Sequence, residues 1–263
     1  MKKRDILKEI IARKKDKIIL AKQQISEEEL KSRLAPLEPP RKFIEAINKP
    51  RQISLVAEIK KASPSLGVIR QEFNHIEIAK IYQEANVAAV SVLTEEDFFL
   101  GNISYINEVK GLVQAPVLRK DFILDRYQIF ESRFYGADAV LLIAKLLTQD
   151  ELAEFSALAC ELGMDALIEV HEEKELKKVL KLKGLTLIGI NNRNLNTLEV
   201  DPKTVERLFP LIPKEKTVVV ESGIKSSQDV LFLKILGVSA VLIGTVFMEA
   251  ADIRAKVEEI MGW

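Results

Sequence analysis

Eight short apolar runs recur along the chain at nearly regular intervals, and this repeat limits the possible folds more than any other feature. They occupy residues 55–57, 88–94, 115–121, 138–144, 164–170, 185–193, 217–223 and 239–245. The runs are apolar on both sides and rich in β-branched residues, which is typical of parallel strands covered by helices. They end near positions 60, 93, 120, 143, 169, 191, 221 and 244, roughly one strand–helix unit apart. Eight such units in 263 residues predict an α/β fold, a (β/α)8 TIM barrel.

A doubly wound open sheet is the alternative architecture. It would need a glycine-rich turn after its first strand, whereas this turn reads Ser-Pro-Ser. Helix signals fall between the runs, as a barrel requires. Thr148 and Glu151 form a capping-box pattern that opens a helix ending near Gly163, and Ser226 opens another that stops by Gly237.

The first fifty residues predict a helical extension, so that residues 1–263 form one barrel domain of which 1–50 precede the first strand. Residues 2–22 place isoleucine and leucine at helical spacing among many lysines and arginines. Ser26 begins a second helix with a capping-box pattern, three prolines then break the chain, and a short helix covers roughly 41–47. The basic residues of 2–22 either contact nucleic acid or form the solvated face of an amphipathic helix; interspersed acids favour the latter.

Composition narrows the functional class. The 39 basic residues balance the 39 acidic ones, which argues against a nucleic-acid or membrane-surface protein. No apolar run reaches the length of a membrane span, and the charged N-terminal stretch is unlike a signal peptide, so we expect a cytoplasmic protein. The single Cys160 cannot form an internal disulfide. No Cys/His spacing predicts a metal site, and His75 and His171 are interpreted as surface or loop residues.

Charged and amide residues collect at the carboxyl ends of the predicted strands. They are Glu58 and Lys60 on strand 1, Lys120 on strand 3, Glu169 on strand 5, Asn191 with Arg193 on strand 6, and Glu221 on strand 7. Glu58 and Lys60 alone are equally consistent with an ion pair on a solvent-facing edge. Active sites of this fold lie at the carboxyl ends of several strands, so the full set predicts one mouth where acid and base roles are possible.

The ends of the last two strands predict a phosphate site. Ser222 and Gly223 follow strand 7, and Gly244 and Thr245 follow strand 8. Small residues there let backbone N–H groups approach a phosphate, which this fold often binds at these two loops. The glycines are also consistent with ordinary turns.

Seven segments together resemble the indole-3-glycerol-phosphate synthase family over nearly the whole chain. They are AEIKKASPSLG (57–67), SVLTEEDFF (91–99), PVLRKDFI (116–123), LIEVH (167–171), GINNRNL (189–195), VVESGI (219–224) and LIGT (242–245). The order and spacing match as a set. The preceding helices and the segment 41–43 also resemble the family's N-terminal extension, which helps to cover the substrate.

The resemblance implies ring closure of 1-(2-carboxyphenylamino)-1-deoxyribulose 5-phosphate in tryptophan biosynthesis. An aromatic ring carbon attacks the ribulose carbonyl, carbon dioxide leaves, and water is lost to give indole-3-glycerol phosphate. This carboxy-lyase chemistry implies no metal and no organic cofactor. We expect a monomer that acts on a small phosphorylated substrate, without nucleic-acid or membrane partners.

The resemblance also implies roles for individual residues. Lys120 matches the general acid, and a lysine can serve near neutral pH if burial and neighbours lower its pKa. Lys60 matches the lysine that holds the substrate anions, and Glu169 the acid/base group for dehydration. Glu58, Asn191 and Glu221 match orienting residues. The matching substrate and phosphate residues are Arg193 for a carboxylate, Ser63 near the substrate, Phe99, Phe122, Pro64 and Leu195 around the aromatic ring, and Ser222, Gly223, Gly244 and Thr245 for the phosphate.

Two other functions remain open at this point. One is another phosphate-binding barrel enzyme such as phosphoribosylanthranilate isomerase, although that enzyme has a cysteine base at its first strand and Cys160 falls in the helix pattern 148–163. The other is a catalytically silent binding barrel or a nucleic-acid module that uses the basic N-terminal helix. The complete set of strand-end residues argues against a silent barrel, and the neutral composition argues against nucleic acid.

Overall fold

Eight parallel strands close into a barrel in the computed structural model, which describes residues 5–262. The strands are β1 Ser54–Ile59, β2 Ala89–Leu93, β3 Val117–Lys120, β4 Ala139–Ile143, β5 Asp165–Val170, β6 Leu187–Asn191, β7 Thr217–Glu221 and β8 Ala240–Ile243. Each strand pairs with the next one along the chain, and β8 returns to β1 with Ser54 opposite Ala240. The predicted (β/α)8 barrel is therefore confirmed, and the open-sheet alternative is wrong.

Helices precede β1 and follow each strand, as the repeat predicts. They are α1 Ile6–Gln24, α2 Glu27–Ser32, α3 Phe43–Ile47, α4 His75–Glu84, α5 Ser104–Lys110, α6 Tyr127–Phe134, α7 Gln149–Glu161, α8 Glu173–Val179, α9 Lys203–Leu208, α10 Ser227–Leu236, α11 Thr245–Glu249 and α12 Ile253–Met261. A 3-10 turn, Phe209–Leu211, extends α9. The helix predicted over 2–22 begins at Ile6; positions 2–4 lie outside the described residues. None of the helices within 5–262 has the combination of length and apolar character that a membrane span requires.

The predicted helix caps form, with one exception. Thr148 and Glu151 exchange both hydrogen bonds of a capping box at the start of α7, and Ser226 does the same with Asp229 at α10. Gly237 ends α10 in the left-handed region, with φ of 101°. Ser26 accepts from the backbone N–H of Glu29, but no reciprocal bond completes the box predicted there.

Alternation along the strands separates two apolar layers. In β1, Leu55, Ala57 and Ile59 pack outward against the surrounding helices, whereas Val56 faces the barrel interior. The interior cluster also contains Leu118, Leu141, Leu167, Leu187, Val219 and Leu242 from other strands. These side chains fill the barrel, so the interior is a packed core and any ligand has to bind at one of its two ends.

The N-terminal extension contacts both ends of the barrel. Ile44 of α3 donates its backbone N–H to Asp165, at the start of β5, and Phe43 and Ile47 are fully buried against the interior cluster. The guanidinium of Arg41 donates to carbonyls that precede β3. Segment 41–43 therefore seals the amino end of the strands. The charged strand ends lie at the opposite end, so segment 41–43 does not reach them; that the extension helps to cover a substrate stays a prediction, which α1 is placed to meet.

Helix α1 contacts the carboxyl end of the barrel. Lys14 is almost fully buried, and its Nζ lies 2.9 Å from Asp121 and 3.1 Å from Glu96. Lys17 pairs with Asp97, and Lys22 with Asp125. Several of the basic residues that left nucleic-acid binding open are therefore paired within the chain.

Asp138 lies at the amino end of β4. Its substitution tests the stability of the fold without changing any residue at the carboxyl end of the barrel. Its fully buried carboxylate accepts from the backbone N–H groups of Arg41 (2.6 Å) and Val117 (2.8 Å), and from Nζ of Lys110 (2.6 Å). We expect Asp138→Ala to lower the free energy of unfolding by about 3 kcal/mol, as for a buried ion pair that loses one partner. Urea denaturation measures this. Exposed Asp150→Ala is the control, and an equal change in both variants would contradict the assignment.

Candidate active site at the carboxyl end of the barrel

The alternation that fills the interior also places the charged residues above it. Glu58 lies two residues after the interior residue Val56, and Lys120 two residues after Leu118. The same step leads from Leu167 to Glu169 and from Val219 to Glu221, and two such steps lead from Leu187 through Gly189 to Asn191. Two residues along a strand return to the same face. The polar layer is therefore the top layer of the barrel interior.

Lys120 lies at the centre of this layer. Its Nζ is 3.1 Å from Oε2 of Glu221 and 3.3 Å from Oε2 of Glu169. Asn191 donates its Nδ2 hydrogen to the same Glu169 oxygen at 3.1 Å, whereas Asn192 turns away and donates to the carbonyl of Ser222. Of the two adjacent asparagines, Asn191 therefore faces the mouth.

Lys60 and Glu58 form a second pair in the same mouth. Nζ of Lys60 lies 2.5 Å from Oε2 of Glu58, and both side chains are largely shielded from solvent. The strand-1 pair is therefore not an ion pair on a solvent-facing edge. A Cβ at Gly244 would come within 2.3 Å of Oε2 of Glu58, so only glycine leaves room for that carboxylate at the end of β8.

The ion pairs determine the protonation states. Burial lowers the pKa of Lys120, but the negative charges of Glu221, Glu169 and Glu58 outweigh it and raise this pKa well above its ordinary value. The expected lowering of the Lys120 pKa is therefore wrong for the unliganded site. Before substrate binds, the Lys120 side chain is therefore a fully protonated ammonium.

The two glutamates around Lys120 differ. Burial raises the pKa of Glu169, but Lys120, His171 and Asn191 together bring it well below its ordinary value. Burial and the neighbouring charges of Glu169 and Glu58 instead raise the pKa of Glu221 to about 7, although Lys120 opposes this shift. At neutral pH the unliganded site thus contains one ionised carboxylate, Glu169, and one carboxyl group, Glu221, that can hold or release a proton.

The predicted phosphate residues follow β7 and β8. Ser222 and Gly223 both adopt left-handed backbone conformations, with φ of 65° and 82°. This conformation is strained for serine, and such strain is often found at functional sites. Gly244 caps α11 and Thr245 begins it, so the first N–H groups of this helix have no acceptor within the helix.

Three of the four predicted aromatic-ring residues lie beside the charged layer, in contact with the interior cluster. The rings of Phe99 and Phe122 lie 6.2 Å apart, and Leu195 packs against the same interior cluster. Buried Glu95 fixes the loop after β2, since it accepts from the backbone N–H groups of Asp97, Phe98 and Phe99. The sequence did not single out Glu95.

Three other predicted residues lie on loops around the mouth. The guanidinium of half-buried Arg193 donates to the carbonyl of Leu198 at 2.7 Å, and burial lowers its pKa. Ser63 and Pro64 are half-buried in the loop after β1, where residues 62–63 pair briefly with 67–68. Ser63 accepts from the N–H of Leu66, so its hydroxyl supports the turn.

Besides Glu95, sequence reasoning missed two groups in this region. The Lys14 side chain was assigned to a solvated face, yet Lys14 shares the buried face of α1 with Leu7, Ile10 and Ile18. His171 was interpreted as a surface or loop residue, but its side chain is 93% shielded (7% exposed) between Glu169 and Glu175. Its position two residues beyond Glu169 was the available signal, because alternation places it on the same side.

The single cysteine of the sequence does not lie at this mouth. Cys160 is exposed on α7, away from the strand ends. Within residues 5–262, no three His, Cys, Asp or Glu side chains are grouped so that they could hold a metal ion.

The family model for indole-3-glycerol phosphate synthase matches residues 7–260. The chain belongs to this family. It is 55% identical to the indole-3-glycerol phosphate synthase of Caldanaerobacter subterraneus subsp. tengcongensis over 81% of this chain and 82% of the relative. It is 46% identical to the Acetivibrio thermocellus synthase (97% and 98% covered) and 45% identical to that of Neisseria meningitidis serogroup B (97% and 99% covered).

Solved structures outside the indole-3-glycerol phosphate synthase family share the fold alone. A 3-hexulose-6-phosphate synthase from Salmonella typhimurium superposes with a TM-score of 0.63 at 16% identity, covering 80% of this chain and 97% of that one. A chain of the tryptophan synthase complex from Pyrococcus furiosus gives 0.57 at 15%, covering 80% and 98%.

The raised pKa of Glu221 makes stability depend on pH. The native carboxyl keeps its proton up to about pH 7, whereas an ordinary carboxyl releases it near 4.5, so the native state binds more protons between these values. The contribution of Glu221 to the free energy of unfolding of the wild type therefore falls as pH rises through this window. We expect the unfolding free energy of Glu221→Gln minus that of wild type to increase from pH 5 to 7.5. Exposed Glu215→Gln is the control, and a difference independent of pH would contradict the assignment.

Proposed function

We propose that this protein closes the indole ring of 1-(2-carboxyphenylamino)-1-deoxyribulose 5-phosphate, releasing carbon dioxide and water to give indole-3-glycerol phosphate. Membership of the synthase family supports the reaction. The observation that carries the assignment of residues is the Lys120 ammonium between Glu169 and Glu221, at the centre of a mouth with Lys60 and Arg193. The substrate has a carboxylate, a phosphate and one electrophilic carbonyl, and this arrangement offers cations for the carboxylate and for the carbonyl oxygen.

Ring closure begins with attack of the carboxylate-bearing ring carbon on the ribulose carbonyl. Negative charge develops on the carbonyl oxygen, and Lys120 is the proposed general acid that donates a proton to it. The three glutamates that raise the pKa of Lys120 keep this acid charged before each turnover. Glu221, whose pKa is about 7, is suited to hold the ammonium in place and to exchange a proton with it.

Decarboxylation restores the aromatic ring, because the electrons of the carbon–carboxylate bond return to the ring as carbon dioxide leaves. Lys60 and Arg193 are proposed to hold the carboxylate until that point. Glu58 orients Lys60 through the 2.5 Å contact. Arg193 is suited to the role because its guanidinium is planar and always charged. Ser63 is proposed to contact the substrate from the first loop.

Dehydration requires removal of a proton and departure of the new hydroxyl group as water. Glu169 is the proposed acid/base residue: it is ionised, and Asn191 orients the oxygen that faces Lys120. The aromatic ring is proposed to lie against Phe99, Phe122, Pro64 and Leu195, where burial excludes water from the reacting atoms.

The phosphate is proposed to bind between the ends of β7 and β8. Backbone N–H groups at Ser222, Gly223, Gly244 and Thr245 supply donors, and the Thr245 hydroxyl adds another. We also propose that the protein works as a monomer in the cytoplasm. Sedimentation at assay concentration tests the monomer.

Lys120→Ala tests the general acid. We expect kcat to fall by roughly a hundredfold or more, the range for a lost general acid, with little change in KM. Indole fluorescence that appears from the carboxyphenylamino substrate gives the rate. Lys80→Ala, on the exposed side of α4, should keep wild-type kcat. An unchanged kcat in Lys120→Ala would remove the residue from the acid role, and a folded wild type without turnover would refute the function itself.

Thr245→Glu tests the phosphate position. A carboxylate there repels the phosphate dianion, so KM should rise about tenfold or more while kcat changes less, since charges about 4 Å apart repel by several kcal/mol near a protein surface. Thr245→Ser keeps the hydroxyl and is the matched control. If KM stayed at the wild-type value in Thr245→Glu, the phosphate would bind elsewhere.

A further inference from the structure

His171 joins the proposed acid/base residue to the helix behind it. Its Nε2 lies 3.1 Å from Oε1 of Glu169, and its Nδ1 lies 3.1 Å from Oε2 of Glu175. The contact with Glu169 is an ion pair at short range but is not aligned as a hydrogen bond, whereas the contact with Glu175 is a hydrogen bond. Both ring nitrogens therefore face carboxylate oxygens.

This geometry determines the charge of the ring. A neutral imidazole has one N–H, so its other nitrogen would present a lone pair to a carboxylate lone pair. Only the doubly protonated imidazolium offers an N–H to each neighbour. Burial lowers the pKa of His171, but the two carboxylates outweigh burial and raise it to about 9.

Helix α8 fixes the position of Glu175, the carboxylate on the side of the imidazole away from Glu169. Glu175 is in the first turn of α8, is buried, and accepts the backbone N–H of His171 at 2.7 Å through the same oxygen that contacts the ring. Lys178, on the same helix, donates to the carbonyls of Ala144 and Leu147, and so ties α8 to the loop after β4. The imidazolium consequently has a rigid support on the side away from the mouth.

We propose that His171 is a positioning residue for the reaction, an imidazolium held by Glu175 that fixes and keeps ionised the carboxylate of Glu169. The two oxygens of Glu169 then have separate partners: His171 at Oε1, and Lys120 with Asn191 at Oε2. This inference rests on the proposed role of Glu169 in dehydration.

The imidazolium favours rapid return of a proton from Glu169. When Glu169 removes the proton from the substrate, it loses its ionic attraction to His171, so the protonated form is a strong acid for a carboxyl group. It can then release that proton toward the departing hydroxyl oxygen. The proton passes from the substrate to Glu169 and then to the departing hydroxyl group, which leaves as water. His171 keeps its own protons throughout.

The charge of His171 can be measured without any activity. The sequence contains two histidines, so ¹⁵N-histidine NMR shows signals from two imidazole rings. The signals that disappear in His171→Gln belong to His171, and the remaining ones belong to His75. We expect the His171 ring to be doubly protonated at pH 7.5 and to titrate near pH 9. A singly protonated ring at pH 7.5 would overturn the proposal, whether or not the protein makes indole-3-glycerol phosphate.

Kinetics test the link to the reaction. His171→Gln should lower kcat by about tenfold or more with little change in KM, since small misplacements near a reacting group cost up to about a hundredfold. Wild-type kcat should fall as pH rises through the His171 titration. This descending limb of the plot of kcat against pH should be absent in His171→Gln. In Glu175→Gln the ring loses one carboxylate, so both its titration and the kcat limb should move to lower pH together.

The controls separate this proposal from a structural role and from the function itself. His75→Gln removes the other imidazole, which pairs with Glu108 on the outer surface, and should keep wild-type kcat. If the limb of kcat did not follow the imidazole titration, or His171→Gln kept full kcat, the positioning role would be refuted. A wild type without turnover refutes the proposed function, while the NMR titration still decides the charge of His171.

Discussion

The mouth of this barrel depends on one ammonium group shared by two carboxylates. Lys120 lies within 3.3 Å of both Glu169 and Glu221, in a layer closed below by packed aliphatic side chains. Two carboxylates beside one cation cannot both be fully compensated, and the other neighbours decide which one stays ionised. His171 and Asn191 favour ionisation of Glu169, whereas burial and the charges of Glu169 and Glu58 disfavour ionisation of Glu221. Two residues of the same type thus acquire different proton affinities.

The strand period explains why these side chains meet. A barrel strand places alternate residues inside, so one more step beyond the last apolar interior residue brings a polar side chain to the rim. Four strands use that step in this chain, at Glu58, Lys120, Glu169 and Glu221, and β6 takes two steps to reach Asn191. The same apolar layer that stabilises the barrel also excludes water from beneath the charges. Stability and the proposed chemistry therefore depend on the same inward-facing side of the strands, with apolar residues inside the barrel and polar residues at its carboxyl rim.

Much of this arrangement could be predicted from the sequence. The apolar runs located every strand end to within one residue, and the polar residues that follow them identified the rim. The sequence did not reveal partners: buried Lys14 looks like its exposed neighbours on α1, and nothing local shows that Asp121 lies opposite it. His171 was misjudged for the same reason, since its environment comes from Glu175 on the next helix. The direction of the Lys120 pKa shift also required distances, because burial and nearby carboxylates act in opposite directions.

The extension reaches both ends of the barrel, and this has a consequence for the order of assembly. Helix α3 is synthesised before any strand, yet Ile44 finds its hydrogen-bond partner in Asp165, 121 residues further along the chain. Lys14 likewise requires Asp121. During translation, α1 and α3 are therefore made before the strands and loops against which they pack. Their native contacts depend on the completion of half the barrel.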